Sequence, residues 1–255
     1  MDMTQTDRTA LLERIRSAKR VVIFSGAGLS AESGIPTFRD ANNSLWANVD
    51  PMAVASIKGF KENPERVWAW HEEMRKMFSN SKPNPGHEAM SGLEMLLQPA
   101  KVQVITQNID GFHQDAGNSW VLEIHGTTRH IRCHRNCGFI EHWSDASPRK
   151  CPVCGAPTRP SVVWFGESLD EARFDLATEA AEMADVFFVV GTSGIVQPAA
   201  SLPIRAKNNG AMVVEVNLST TPLSNKVNLT VRASASDFFP KLCKDISAMR
   251  LRQVR

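Results

Sequence analysis

Short runs of apolar residues alternate along the chain with longer stretches whose apolar side chains recur at helical spacing. The short runs predict strands over residues 21–24, 101–106, 120–124, 186–190, 211–216 and 228–231. The helical spacing predicts helices over residues 9–19, 30–33, 61–78, 87–97, 169–184, 202–208 and 237–250. Short apolar strands separated by helices are typical of a parallel sheet covered on both faces. The pattern therefore predicts an α/β fold with a Rossmann-like parallel sheet.

The first strand leads directly into glycines, in the segment VVIFSGAGLSAESGIPTFR of residues 21–39. A buried strand that ends in glycines and turns into a helix can hold a pyrophosphate, because the backbone approaches closely and the helix start attracts negative charge. The spacing departs from the dehydrogenase fingerprint at Ala31, and no second strand with an acidic end follows about 20 residues later. The segment suggests a dinucleotide site without the usual ribose-binding strand, although a tight strand–helix turn would also explain the glycines.

Small or polar residues follow five of the predicted strands at their carboxyl ends. These groups are residues 25–28, 106–110, 125–126, 191–193 and 217–219. Ligands of parallel sheets bind outside the carboxyl ends of the strands, so we expect one shared site there. His125 is the candidate general base, although a strand-end histidine can also simply bond to backbone. Asn108 and Asp110 beside Gly111 could be turn residues, but their position next to a histidine favours a site.

Four of the five cysteines form two pairs, CHRNC and CPVC, which contain Cys133, Cys137, Cys151 and Cys154. Thiolate pairs on two short turns are the usual ligands of tetrahedral zinc. We therefore predict a closed structural zinc site. A redox CxxC pair is the alternative, and His134 could replace one ligand.

Composition excludes several classes of partner. The 255 residues carry a net charge of +2, which gives no electrostatic basis for binding nucleic acid or membrane. The longest apolar runs are far shorter than the roughly 20 residues that span a bilayer. The polar first seven residues contain no apolar signal core, so we expect a cytoplasmic location. The oligomeric state is left open.

Several longer motifs occur in a fixed order together with the two cysteine pairs. They are GAGLSAESGIPTFR, TQNIDGFHQDAG, EIHG, VVWFGE, GTS and VNLS, spread over about residues 21–240. The combination resembles the sirtuin family of NAD-dependent protein deacylases, and SAESGIPTFR and WFGE resemble its bacterial and mitochondrial class.

The resemblance implies a single catalytic domain over residues 1–255. Its Rossmann-like part would comprise about residues 9–40, 85–130 and 161–250. Its small module would comprise a helical part at about 41–84 and a zinc ribbon at about 131–160. NAD would bind in the cleft between the two parts.

The resemblance also implies the site residues. The cofactor-binding residues would be Gly26, Ala27, Gly28, Glu32, Thr37, Phe38, Arg39, Gln107, Asn108, Asp110, Gly191, Thr192, Ser193, Asn217, Leu218, Ser219 and Ala235. An extended acyl-lysine peptide would add a strand along Val162, Val163, Trp164, Phe165, Gly166 and Glu167. The acyl oxygen would attack the nicotinamide ribose, nicotinamide would leave, and water would complete transfer of the acyl group to ADP-ribose. His125 would be the general base on a ribose hydroxyl, and Asn108 and Asp110 would assist catalysis.

One departure from the family pattern concerns the acyl group. Members that remove succinyl or malonyl groups carry a Tyr-x-x-Arg pair in the helix after the cofactor loop, where this chain has His71 and Met74. Arg75 is adjacent, but one residue along a helix rotates a side chain by about 100°. We therefore assign His71 and Met74 to the acyl pocket and expect acetyl or apolar acyl groups to be preferred over succinyl. Met74 also fits the apolar stripe of its helix and could be a core residue.

Other functions fit parts of the pattern. NAD-dependent ADP-ribosyl transfer or NAD hydrolysis would use the same residues. A non-catalytic NAD sensor or zinc-ribbon binding module would not require the base His125. A metal-ribbon protein that binds nucleic acid is disfavoured by the near-neutral charge.

Overall fold

Two β-sheets organise the part of the chain that the computed structural model describes, which is residues 3–37, 49–147 and 149–253. In chain order the strands are β1 Arg20–Ser25, β2 Lys101–Thr106, β3 Val121–Glu123, β4 Gly126–Cys133, β5 Ile140–His142, β6 Thr158–Val162, β7 Val186–Val190, β8 Met212–Val216 and β9 Leu229–Val231. The larger sheet has the order β3-β2-β1-β7-β8-β9 and is parallel throughout. The smaller sheet, β5-β4-β6, is antiparallel. The predicted α/β fold with a Rossmann-like parallel sheet is confirmed.

Helices connect the strands and cover the larger sheet. Over the described residues they are α1 Gln5–Ser17, α2 Ala27–Ala31, α3 Pro51–Val54, α4 Ile57–Glu62, α5 Pro64–Asn80, α6 Pro85–Leu96, α7 Phe112–Asp115, α8 Glu171–Glu182, α9 Leu202–Asn208 and α10 Ala235–Gln253, with a 3-10 turn at Ala199–Ser201. Within that part of the chain, none of these helices has the length and apolarity needed to cross a membrane.

Strand β1 lies inside the sheet and contributes to both cores. Val21 and Ile23 pack into the hydrophobic core on one face, and Val22 and Phe24 pack into the core on the other. Successive side chains of a strand point to opposite faces, so an uninterrupted apolar run is what a strand buried on both faces requires. Ser25, the last residue of β1, lies opposite both Thr106 of β2 and Val190 of β7, and the three strands therefore end at one edge.

Two predicted helices begin at other residues in the structure. The helix predicted over residues 61–78 begins at Pro64 and runs to Asn80 as α5, because the Asn63 side chain accepts a hydrogen bond from Arg66 N, and residues 61–62 end the preceding helix α4. The helix predicted over residues 30–33 begins earlier and follows Gly26 directly as α2.

The four paired cysteines meet beside the smaller sheet. The sulfur atoms of Cys133 and Cys154 are 3.5 Å apart, as are those of Cys137 and Cys151, and all four lie within 4.8 Å of one another. A tetrahedral zinc ion with Zn–S bonds of about 2.3 Å needs sulfur atoms roughly 3.8 Å apart. The cluster therefore fits structural zinc. It contains both cysteine pairs and no histidine, which disfavours the redox pair and His134 as a ligand.

A third hydrophobic cluster joins the helices of residues 51–80 to the smaller sheet. Val67, Trp68 and Trp70 of α5 pack in it together with Ile131 of β4 and Trp143, which follows β5. The predicted small module of residues 41–84 and 131–160 stays a prediction, and its residues 41–48 and 148 lie outside the described residues.

Removal of one cysteine ligand should release the metal. We expect Cys154→Ser to bind less than one equivalent of zinc and to lose at least about 2 kcal/mol of stability, or roughly 4–8 °C in Tm. Metal analysis and thermal unfolding of the purified protein measure both effects. Cys243→Ser is the matched control, because Cys243 lies in α10 and its thiol donates to the carbonyl of Ala89. Full zinc content in the Cys154 variant would contradict the assignment.

Candidate active site

A cavity of about 780 Å³ lies at the carboxyl ends of β1, β2, β7 and β8. This volume is within the range of roughly 300–1,000 Å³ that small molecules and cofactors occupy. The predicted cofactor-binding residues that line it are Gly26, Ala27, Gly28, Glu32, Thr37, Gln107, Asn108, Gly191, Thr192, Ser193, Asn217, Leu218, Ser219 and Ala235. His125 lines the same cavity. The structure thus brings together groups that are far apart in the sequence.

Hydrogen bonds tie three strand ends together along the cavity wall. The Gln107 side-chain amide donates to Thr192 Oγ1 at 2.8 Å, which joins the end of β2 to the end of β7. The Asn217 side-chain amide donates to the carbonyl of Thr192 at 2.8 Å, which joins the end of β8 to the same turn. The Gln107 amide reaches past the end of β1 to β7, and the Asn217 amide reaches from β8 to the adjacent β7, so the three loops form one continuous wall.

The glycines at the end of β1 have a packing role that the sequence did not indicate. A Cβ atom on Gly28 would lie 2.7 Å from the carbonyl oxygen of Gly191, and one on Gly26 would lie 2.8 Å from Thr192 Cβ. Both distances are shorter than any van der Waals contact, so larger residues would push the two loops apart. The glycines therefore let the ends of β1 and β7 meet, besides exposing backbone to the cavity.

A buried hydrogen-bond network lies behind this wall. The Asn108 side-chain amide donates to the carbonyl of Gly26 at 3.1 Å and to Ser30 Oγ at 3.0 Å. The Ser30 hydroxyl in turn donates to Asp110 at 2.7 Å, and Phe112 N donates to the other Asp110 oxygen at 2.9 Å. Burial raises the pKa of the Asp110 carboxyl, while these two donors lower it in part. The network holds Asn108 at the cavity, and Asp110 itself does not line it.

His125 has the protonation state that a general base requires. Its Nδ1 donates to the carbonyl of Gln107 at 3.1 Å, and Nε2 is left as the nitrogen with a free lone pair. Burial lowers the pKa of His125, and the bond to the Gln107 carbonyl opposes that effect. The imidazole is therefore neutral near pH 7 and can accept a proton.

Glu32 lines the cavity but bonds to the final helix. Its carboxylate accepts from Ala235 N at 2.9 Å and Ser236 N at 3.2 Å. These N–H groups at the start of α10 have no partner within the helix, and a carboxylate there also interacts favourably with the helix dipole. Glu32 thereby fixes Ala235, another cavity residue, relative to α2.

The predicted peptide segment of residues 162–167 forms a turn along the cavity. Val163, Trp164, Phe165, Gly166 and Glu167 line the cavity, whereas Val162 does not. Phe165 N donates to the carbonyl of Ala55 at 2.9 Å, and Val163 N donates to the carbonyl of His125 at 2.8 Å.

An ion pair beneath this segment keeps its shape. The guanidinium of Arg159, which is 2% exposed, makes two hydrogen bonds to Glu167 at 2.6 and 2.8 Å. The Glu167 carboxylate also accepts from Trp164 N at 2.8 Å. Glu167 therefore folds back onto its own segment, and its carboxylate is engaged there.

His71 and Met74 do not line the cavity. His71 is buried, with Nδ1 donating to the carbonyl of Val67 at 2.8 Å and Nε2 accepting from the Trp164 indole at 3.2 Å. Burial lowers the pKa of His71 to about 4, so it is neutral. Met74 is half-buried in the cluster around α5, and Arg75 pairs with Asp145 at 2.5 Å. His71 and Met74 could shape an acyl pocket only indirectly, through Trp164, or after a rearrangement. Their assignment to the acyl pocket stays a prediction.

The sequence interpretation missed two kinds of residue. Ser30 is the central member of the buried network, and Ala55 lines the cavity next to the peptide segment. A serine inside a predicted helix gives no sequence signal that it joins a buried network, and the sequence around Ala55 gives none that this residue lines the cavity. Phe38 and Arg39, two predicted cofactor residues, lie outside the described residues.

Comparison with known proteins gives a consistent result. The sequence model of the Sir2 family matches residues 26–198. An NAD-dependent protein deacylase of Mycobacterium tuberculosis is 45% identical over 240 residues, which cover 90% of this chain and 99% of that protein. An NAD-dependent protein deacylase of Methylococcus capsulatus is 40% identical over 250 residues, which cover 94% of this chain and 97% of that protein.

Solved structures agree with these sequence matches. A Sir2 homologue in complex with NAD has a TM-score of 0.87 and 38% identity, and the match covers 94% of each chain. A Sir2 complex with a p53 peptide and NAD+ has a TM-score of 0.80 and 30% identity, covering 92% of this chain and 97% of that one.

Loss of the Glu32 carboxylate should weaken the start of the final helix. We expect Glu32→Ala to lower the free energy of unfolding by about 1 kcal/mol, the usual cost of a lost N-terminal cap. Urea denaturation measures this change. Glu62→Ala is the control, because Glu62 is 57% exposed and makes only a loose pair with Lys58. Equal stability of the two variants would contradict the capping role.

Proposed function

The chain belongs to the Sir2 family, and from that premise we propose that it is an NAD-dependent deacylase of acyl-lysine side chains in proteins. Its 40–45% identical relatives in Mycobacterium and Methylococcus are named as NAD-dependent protein deacylases. The observation that carries the proposal is the placement of a neutral, oriented His125 and of Asn108 in one cavity at the strand ends. A pure NAD-binding module would have no use for such a base.

The cavity residues fit NAD. The walls contain backbone amides, hydroxyl groups and side-chain amides from four strand ends, which suit a ligand with two riboses and a pyrophosphate. Bound NAD supplies a nicotinamide leaving group and an ADP-ribose acceptor for the acyl group. Asn108, held by Gly26 and Ser30, would position the nicotinamide end, and His125 would remove a proton from a ribose hydroxyl. Asn217, Leu218 and Ser219 would hold the adenosine end.

The acyl-lysine peptide would lie along residues 163–166. This segment faces the cavity together with His125, and the Arg159–Glu167 pair holds it rigid from below. A peptide that extends along it would bring its acyl-lysine to the base. A Sir2 protein in complex with a p53 peptide and NAD+ supports a protein substrate.

The charge of the cavity wall supports a neutral acyl group. Among the described residues that line the cavity there is no lysine or arginine, and the charged side chains are Glu32 and Glu167. A succinyl carboxylate would lose its hydration without gaining a cationic partner from these described residues. Acetyl and apolar acyl groups are therefore the preferred substrates.

The thiol chemistry supports a cytoplasmic location. The four zinc-binding cysteines must stay reduced, which the cytoplasm ensures and an oxidising compartment does not. The net charge of +2 argues against nucleic acid and membrane partners.

His125→Ala should slow deacylation strongly. General-base catalysis contributes typically 10²–10⁴-fold, so we expect the NAD-dependent rate on an acetyl-lysine peptide to fall by about that factor. Chromatography of the peptide product measures the rate. His142→Ala, which changes an exposed histidine of β5, should retain the wild-type rate.

The pH dependence of deacylation by the wild type follows from the lowered pKa of His125. Burial lowers the pKa of His125, so the base stays unprotonated until the pH falls below the ordinary histidine value of about 6.5. We expect kcat/KM to decline on the acidic side with a midpoint below that value. A midpoint above it would exclude His125 as the base in the environment described.

Acyl preference is tested by a panel of acetyl, butyryl and succinyl peptides. We expect the wild type to prefer the neutral groups. Because Met74 does not line the cavity, Met74→Arg should raise the succinyl-to-acetyl ratio of kcat/KM by about tenfold only if a rearrangement brings the new guanidinium to the acyl carboxylate. Glu73→Arg, an exposed neighbour on the same helix, is the control for added charge. Faster removal of succinyl than of acetyl by the wild type would sink the proposed preference.

A further inference from the structure

Strand β8 carries a fully buried carboxylate. Glu215 is 0% exposed, and its neighbours Val214 and Val216 are buried apolar residues. A carboxylate in such surroundings is costly unless it is paired and hydrogen-bonded. Its retention in an otherwise apolar strand therefore needs a structural or functional reason.

The Glu215 carboxylate bonds to two residues of the loop that follows β8 and to Arg232 beside that loop. The Thr221 hydroxyl donates to one carboxylate oxygen, and the Ser224 hydroxyl donates to the other at 2.6 Å. Arg232, which follows β9, donates from Nη1 to the carboxylate at 3.1 Å. The pairing is thus between a buried anion and a guanidinium that is 25% exposed.

Arg232 holds the same loop at two further points. Its Nη1 donates to the carbonyl of Ser219 at 3.0 Å, and its Nη2 donates to Ser224 Oγ at 2.9 Å. One carboxylate and one guanidinium therefore bind the loop at residues 219, 221 and 224. The planar fork of arginine suits this arrangement, because it can bridge several acceptors in fixed directions.

The loop held in this way is a wall of the cavity. Residues 217–221 line the cavity, and Leu218 at its tip is 71% exposed. Apolar packing holds the far end of the loop, where Leu223 is buried, whereas residues 219–221 depend on polar contacts. Release of these contacts would therefore free the wall without opening the hydrophobic core.

We propose that Glu215 and Arg232 are positioning residues for the dinucleotide, which hold the loop of residues 217–221 in the shape that binds its adenosine end. This inference rests on the proposed function, because it takes the cavity ligand to be NAD. Neither residue lines the cavity, so both act through the loop. A loop already ordered costs no conformational entropy when the ligand binds.

The test uses Glu215→Gln, Arg232→Met and the double variant in the full-length protein. We expect each to raise the KM for NAD and the Kd for ADP-ribose about tenfold, which corresponds to about 1.4 kcal/mol. The KM for the acyl peptide and the inhibition constant of nicotinamide should stay within about twofold. The double variant should be no worse than Arg232→Met, because two groups that act as a unit are not additive.

Lys226→Met is the matched control, because it removes an exposed cation from the same loop region. An unchanged Kd for ADP-ribose in all variants, with only a lower unfolding temperature, would overturn the proposal and leave a purely structural pair. Equal increases in the KM for NAD and for the peptide would overturn it too. If Glu215→Gln fails to fold, Arg232→Met tests the proposal alone, because Arg232 is the more exposed member of the pair. The same tenfold increases are expected for it.

Binding of ADP-ribose is measured without the reaction. If the wild type binds ADP-ribose but removes no acyl group, the proposed function is refuted. The Kd for ADP-ribose of the variants still tests this inference in that case. A deacylase whose variants bind ADP-ribose normally would refute this inference alone.

Discussion

The parallel pairing of β1 with β2 on one side and β7 on the other is the constraint on which the site depends. Ser25 lies opposite Thr106 and Val190, so three strands end at the same level. The segments that follow them therefore meet, and Gln107 and Thr192 come within hydrogen-bond distance. A shift of one residue in this register would turn every buried side chain of β1 to the opposite face. Packing in the two hydrophobic cores thus fixes the strand register and, through it, the positions of the polar site residues.

Behind the cavity, buried polar groups hold one another in place. Asn108, Ser30 and Asp110 form a chain of hydrogen bonds that ends at Phe112 N. Glu215 and Arg232 form a second, partly buried hydrogen-bond network at the other end of the cavity. Networks of this kind are stabilising when complete and costly when one member is lost, so they select a single arrangement of the loops. Catalysis by a deacylase requires such order, because small displacements of reacting groups cost large factors in rate.

Much of this fold could be predicted from local sequence. The strands at 101–106 and 186–190 were predicted to the residue, since short β-branched and apolar runs bounded by polar or glycine residues favour buried strands. The four cysteines and the strand-end residues His125 and Asn108 were predicted to form sites, and the structure brings each set together. These signals are short in sequence and carry their own chemistry.

Contacts between distant segments could not be predicted in this way. Glu32 caps a helix that begins at Ala235, and Ser30 bonds to Asp110, but neither pair shares a local pattern. Glu167, whose predicted role at the peptide site stays a prediction, pairs with Arg159, because a buried guanidinium requires a carboxylate, and no local pattern indicated this pair. Residues that act through others become visible only when the packing is known.

Mass spectrometry of the nucleotide product tests the central claim most directly. The purified protein would be incubated with NAD and an acetyl-lysine peptide, and the products would be compared with a reaction lacking the peptide. The account predicts acyl-ADP-ribose and free nicotinamide that appear together and only when the acyl peptide is present. ADP-ribose without an acyl group, formed equally in the absence of peptide, would contradict it and show that the site cleaves NAD for another purpose.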